Sequence, residues 1–200
     1  MLILFFFASL RNMKMLLKPA AILGFFPLFL IVLSARPAFS QKTPIDRINL
    51  NWSMYKKLNN SNLPYIAYTA HRTLHQYRAT QKGSQFSLVF HVAVSLDGQQ
   101  STVDLRRLAT LGEEGKKNLL NHEQGHSDLA VIYGRILYKS LTKKVYSVKN
   151  YQNEVKKIYD DTLKELAEIH ARYDMETLHG EEQEPQAKWD LYFKKELKAS

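Results

Sequence analysis

Five residues carry the chemistry that can be read directly from this chain: His122-Glu123-Gln124-Gly125-His126. On a helix, residues four apart share a face one turn apart, so both imidazoles reach one ion. Two such nitrogens suit Zn²⁺ at about 2.0–2.1 Å each. A glutamate beside the first histidine is close to the reacting water without lying on the ligand axis. It suits a general base that takes a proton from water and later returns it to a leaving amine. The spacing therefore predicts a zinc hydrolase with His122 and His126 as ligands and Glu123 as catalytic base. Gly125 inside a helix costs about 1 kcal/mol against Ala, so a close approach by another element is expected there.

A catalytic zinc site takes a third protein ligand. The positions three and six after His126 are Leu129 and Ile132, which excludes the H-E-x-x-H-x-x-G-x-x-H arrangement. The next long periodic segment is Val155 to Tyr173, after a break at 147–150. If the two helices turn back near residue 149, residues whose numbers add to about 298 face each other. His126 then lies opposite 172 and His122 opposite 176, against Tyr173-Asp174-Met175-Glu176-Thr177-Leu178-His179-Gly180. His179 is the first choice for the third ligand, Asp174 the second and Glu176 the third. Tyr173 is expected to donate to the oxyanion of the reaction. The same arithmetic puts Glu154 far from the motif. His170, one turn before Asp174, is weighed as a residue orienting a ligand. His71, His75 and His91 fall in strand-like segments and are expected to have surface or core roles.

The elements that must position these residues follow from periodicity. Asp46–Trp52 alternates like a strand, 56–64 reads as a loop, and 65–79 reads as a long strand. Phe86, Leu88, Phe90, Val92, Val94 and Leu96 alternate strictly; Asp97-Gly98 is a turn signal, with 101–105 the expected hairpin partner. Thr110 and Glu113 form a capping box before a helix running to about Tyr146, Asn150 is a candidate N-cap, and Gly180 a stop. Trp189–Leu197 is a last amphipathic segment. Strands followed by helices predict an α+β domain: a small antiparallel sheet, then a long antiparallel helix hairpin carrying H-E-x-x-H, zincin-like in plan.

The full chain has 200 residues, a net charge of +9 and no Cys, which excludes disulfides, thiolate zinc sites and lipid attachment through Cys. Residues 1–40 hold Arg11, Lys14, Lys18 and Arg36 but no acid, then an apolar run from Ala20 to Ala35 and the small-residue end Ala38-Phe39-Ser40. That is the plan of a secretory signal peptide cleaved after Ser40, leaving one domain at 41–200, mainly β to 105 and mainly α from 110. The location expected is secreted or periplasmic, with no stable membrane insertion after cleavage. Without its first 40 residues the chain carries only +5. Its basic residues are scattered among acids, so a nucleic-acid partner is not expected. The partner expected is a peptide or protein substrate; the alternative is a non-catalytic envelope-binding module with a structural or vestigial metal site.

Two blocks together, His122-Glu123-x-Gly125-His126 and Tyr173-Asp174-x-x-Thr177-x-His179-Gly180, followed by Gln186 and Trp189, make this chain similar to a bacterial domain family of otherwise unknown function described as predicted secreted Zn-dependent proteases. The resemblance covers roughly 47–190 and implies a zinc peptidase-like role. It agrees with His179 as the third ligand.

Overall fold

The computed structural model describes residues 45–59 and 62–199. The proposed signal peptide at 1–40 lies outside them. The described chain is α+β, as expected. Its strands are β1 (Lys56–Leu58), β2 (Ala67–Tyr68), β3 (His71–Lys82), β4 (Gln85–Leu96) and β5 (Thr102–Asp104). Its helices are α1 (Leu105–Thr110), α2 (Glu113–Lys143), α3 (Tyr151–Thr177) and α4 (Gln183–Ala199). No helix among the described residues is long and apolar enough to cross a membrane.

α2 carries the H-E-x-x-H motif and is buried around most of its circumference, because other elements cover it from several sides. Against α3 and α4 it packs Leu129 and Ile132 with Ile169, Tyr173, Trp189 and Phe193. Its far half, Leu137 and Leu141, meets Phe90 and Val92 of β4 and Val155 of α3. The helix hairpin follows the expected register. An added Cβ at Gly125 would meet Tyr173. His126 meets His170, and His122 meets Asp174.

The β half is arranged differently from the sequence expectation. β3 and β4 form a two-stranded antiparallel hairpin. β5 does not pair back on β4. It lies in a separate three-stranded sheet of order β1-β5-β2, parallel to β1 and antiparallel to β2. The turn after β4 explains the switch. Asp97 accepts from the backbone N–H groups of Gln99, Gln100 and Ser101, and so folds the chain tightly away from the hairpin. The 56–64 segment, read as a loop, therefore contributes β1 to that sheet.

Residues 46–52 form no strand. The chain is extended to Asn51 and then makes a 3-10 turn, Trp52–Met54. The partner for its backbone is a side chain of α2. The Gln124 amide accepts from Leu50 N–H at 2.8 Å and donates to the Ile48 carbonyl at 2.9 Å, as a neighbouring strand would. Arg47 adds a two-pronged bond to Asp128, 2.7 Å on each arm. The middle residue of the motif thus ties down the segment that opens the domain.

Helix starts also differ in detail. The cap of α2 is Gly112, with no side-chain bond, and the Thr110 hydroxyl donates to the Arg107 carbonyl instead. The capped helix is α1, where Asp104 accepts from Arg106 and Arg107 N–H. Asn150 does occupy the N-cap position of α3, but its side chain accepts from Asn153 instead.

A candidate metal centre on the helix hairpin

His122 and His126 project from α2 toward Asp174 on α3. Nε2 of His122 lies 3.2 Å from Asp174 Oδ1, and Nε2 of His126 lies 2.9 Å from the same oxygen. Nδ1 of His179 is 3.5 Å from it. His122, Asp174 and His179 each offer a ligand atom within 4.8 Å of the other two, and His126 joins them through Asp174. The edge of a tetrahedron with zinc bonds of about 2.0–2.1 Å is about 3.3 Å, so the separations of the three imidazole nitrogens from Asp174 Oδ1 are those of ligands sharing an ion with it. The donor set, imidazole nitrogen and carboxylate oxygen, also suits zinc.

The opposite ring nitrogens are held from behind. Nδ1 of His122 is 3.3 Å from Gln186 Oε1 and 3.4 Å from Thr177 Oγ1. Nδ1 of His126 is 2.8 Å from Nδ1 of His170. Both motif histidines thus keep Nε2 for the centre and spend Nδ1 on a fixed partner, as metal-binding histidines do. With His170 as the acceptor, His126 keeps a proton on Nδ1, so that it is Nε2 that would offer its lone pair to a metal ion. Burial, and the charge of nearby His126, push His170 down to about 3, so its ring is neutral and able to accept. His170→Ala is expected to weaken zinc binding about 10–100-fold, measured by competition with a chromogenic chelator. Unchanged affinity would remove the orienting role.

Asp174 sits at the hub. Burial alone would raise its carboxyl, but hydrogen bonds from His122 and His126, and the charge of His126, outweigh that and hold it well below the usual carboxylate range. Burial works against a charged His126, yet the bond to Asp174 and the charges of Glu123 and Asp174 leave it raised. The third-choice ligand, Glu176, is not brought to the cluster. Its carboxylate accepts from Trp189 Nε1 at 2.9 Å and pairs with Arg172.

Tyr173 does not face the open side. Its ring, fully buried, stacks on His122 with centroids 4.6 Å apart. Its hydroxyl donates to the His122 carbonyl at 3.0 Å and accepts from Gln186 Nε2 at 2.8 Å. Oxyanion donation does not fit this placement, because the hydroxyl is spent behind the histidine. The geometry fits a support for the His122 ring.

The end of α3 aims His179. Leu178 and His179 have φ of 44° and 55°, followed by Gly180 at 86°. Two non-glycine residues in the left-handed region cost roughly 1–2 kcal/mol each. The curl returns His179 toward Asp174, five residues back, and its N–H bonds the Asp174 carbonyl at 2.9 Å. Gly180 is required twice, for its φ and for space: a Cβ there would lie 2.7 Å from Cβ of His122. The His179 side chain is 77% exposed and that of Asp174 29%, so the cluster opens to solvent on this side. A cleft of about 580 Å³ lies elsewhere, between Arg47, Asn121, Gln124, Gln186 and Asp190, and the cluster histidines do not line it.

Glu123, 4% exposed, accepts a hydrogen bond from the Thr69 hydroxyl just beyond β2. His71, expected to be a bystander, places Nε2 3.1 Å from Ser127 Oγ on the motif helix. His75 packs at a tilt against the ring of Tyr159 instead, and His91 is exposed. Burial, helped by His126, pushes His71 down to about 4. An unfolded histidine titrates near 6.5, so between these values the unfolded chain binds a proton that the folded chain does not. Stability of the metal-free protein is therefore expected to fall as pH drops from about 6.5 to about 4, by about 1.4 kcal/mol per pH unit for this group, with no further loss from it below. Urea titrations across this range, compared with His71→Gln, check the sign. Identical slopes would contradict it.

Hairpin register made Asp174 and His170 reachable from sequence. Thr69 and His71 were not, because which strand crosses α2 depends on sheet pairing that no local signal specifies.

Fold and site together define an α+β protein with a histidine–aspartate cluster between two long antiparallel helices. The chain belongs to a bacterial protein family of unknown function (DUF922), whose family model matches residues 39–180. No curated protein matches it, and no solved structure does.

Proposed function

We propose that this protein is a secreted zinc metallopeptidase. The observation that carries the reading is the convergence of His122 Nε2 and His126 Nε2 on one Asp174 oxygen, at 3.2 and 2.9 Å, with Glu123 on the same helix. In this reading His122 and His126 hold the ion with a third ligand from Asp174 or His179, and the fourth position is left for the reacting water. Zinc held there would supply a Lewis acid at neutral pH. Glu123 would take a proton from the water as its oxygen adds to the peptide carbonyl, and then pass that proton to the nitrogen as the carbonyl re-forms and the C–N bond breaks. Tyr173 and Gln186 hold His122, and His170 holds His126, so the ligands need little rearrangement to bind the ion. The signal-like residues 1–40 support export, which N-terminal sequencing of the exported chain would test by finding Gln41 first.

The deciding experiment measures bound zinc after dialysis, and then cleavage of a broad peptide library with and without chelator. One zinc per chain and chelator-sensitive cleavage are expected. Zinc without cleavage would favour a non-catalytic metal module, and failure to bind zinc would overturn the reading altogether.

A further inference from the structure

Glu123 does not stand alone beside the histidines. It is 4% exposed and buried against the three-stranded sheet, where a carboxylate needs donors to stay charged. Its Oε2 accepts from Thr69 Oγ1, and Thr69 Oγ1 lies 2.6 Å from the hydroxyl of Tyr55. A threonine hydroxyl has one proton. Thr69 gives that proton to the carboxylate, so Tyr55 must be the donor in the second bond. The order is therefore Tyr55 to Thr69 to Glu123, and each bond polarises the next. Tyr55 is also 4% exposed, and its ring belongs to the core cluster of Leu50, Ala67, Val103 and Leu108, so the outer end of the chain is anchored in packed apolar structure. Thr69 directly follows β2, held to β5 on one side, and Ala70 is bound to Ser101 and Asp97 on the other. The two hydroxyl donors of the relay are thus held by the chain flanking β1 and β2 and by the apolar cluster, not by the helix that carries Glu123. Oε1 of Glu123 has no hydrogen-bond partner among the described residues, which leaves it as the oxygen able to take a proton.

We propose that Thr69 is the positioning residue of this site, with Tyr55 behind it: the Tyr55–Thr69 pair locks one oxygen of Glu123 so that the other is presented for proton transfer. The proposal rests on the metallopeptidase reading and adds to it the residues that aim the base.

The test uses Thr69→Val, which keeps the β-branched shape and removes the hydroxyl, Thr69→Ser, which restores the hydroxyl, and Tyr55→Phe. All three, with wild type, are assayed for zinc content, kcat and KM on a peptide cleaved by wild type. Expected for Thr69→Val is an unchanged zinc content, KM within about 2-fold and kcat lower by about 10–100-fold. Thr69→Ser should recover most of kcat, and Tyr55→Phe should fall between. A purely structural threonine would instead lower zinc content, or shift all the variants alike. Wild-type kcat in Thr69→Val, or Thr69→Ser as impaired as Thr69→Val, would overturn the proposal while leaving the peptidase reading standing. A second measurement does not need activity. Thr69→Val should lower Tm by roughly 3–10 °C in wild type but have little effect in a Glu123→Ala background, because the partner is already gone. Equal shifts in both backgrounds would show that the two side chains are not coupled, and would overturn the proposal even if wild type cleaved no peptide. A wild type that binds zinc and cleaves nothing counts against the peptidase reading instead.

Discussion

Glu123→Gln is expected to leave zinc content and fold unchanged and to lower kcat for peptide hydrolysis by about 10²–10⁴-fold. Gln has the shape of Glu, and its amide oxygen can still accept from the Thr69 hydroxyl that the carboxylate uses. What it loses is basicity. The ligands of the proposed centre are drawn from His122, His126, Asp174 and His179, so metal binding should not depend on residue 123. Metal analysis and steady-state kinetics on the same preparation separate the two effects. A variant that keeps its zinc and its full activity would remove Glu123 from the mechanism. A variant that loses its zinc would make the residue structural.

Gly125→Ala should be among the most damaging single-methyl changes in the domain. In an exposed helix Ala gains about 1 kcal/mol over Gly. Here the added Cβ would lie 2.2 Å from the hydroxyl oxygen of Tyr173, 2.6 Å from its Cζ and 2.8 Å from Cε2 of Phe193. These are atoms of ring side chains inside a packed cluster and have little room to retreat. The expected cost is about 3 kcal/mol, at the upper end of overpacking effects, or roughly 6–12 °C in Tm. Because Tyr173 stacks on His122 and bonds its carbonyl, the shift should also weaken zinc binding. Gly115→Ala in the same helix is the control. Its Cβ would lie 3.3 Å from Cβ of Leu111, in the short connection before the helix, a crowding that a shift of a few tenths of an ångström relieves. Thermal melts of the two variants with and without zinc test the contrast, and a Gly125→Ala protein as stable as wild type would show that the Tyr173 packing is looser than described.

The two predictions draw on different levels of information. The proposal that Glu123 is the base rests on sequence spacing, since an i, i+4 histidine pair with a glutamate beside the first fixes their relation on any helix. That Gly125 is indispensable was only half legible. A glycine within a strong helical pattern signals a close approach, but its partner, Tyr173, lies 48 positions away in a different helix. Hairpin arithmetic came near it, because two helices joined by a short turn can pair in only a few registers. The same arithmetic brought Asp174 and His179 to the motif.

The strands show the opposite case. The alternation of Phe86 to Leu96 identified β4, yet nothing in residues 101–105 says that they leave that hairpin for β1 and β2. Pairing there goes with the Asp97 turn, which folds the chain away from the hairpin. Residues 46–52 alternate like a strand but find a glutamine side chain where a strand partner was expected. Periodicity reports which face is buried, not what supplies the hydrogen bonds.

The sequence by itself therefore determined the residue types of the proposed centre and the helix pair that carries them, because both rest on short-range geometry: 3.6 residues per turn, one tight connection and the absence of cysteine. Only the tertiary structure decided which side chains stand behind the ligands. Asp174 became the hub, Tyr173 moved from the expected oxyanion site to a support under His122, His170 took the back of His126, and Thr69 reached Glu123 from the sheet. Each of those contacts joins elements far apart in the chain. Hairpin register brings Tyr173, Asp174 and His170 near the motif, but which atoms they offer it, and the arrival of Thr69, depend on how helices and sheet pack around α2, which no local pattern encodes.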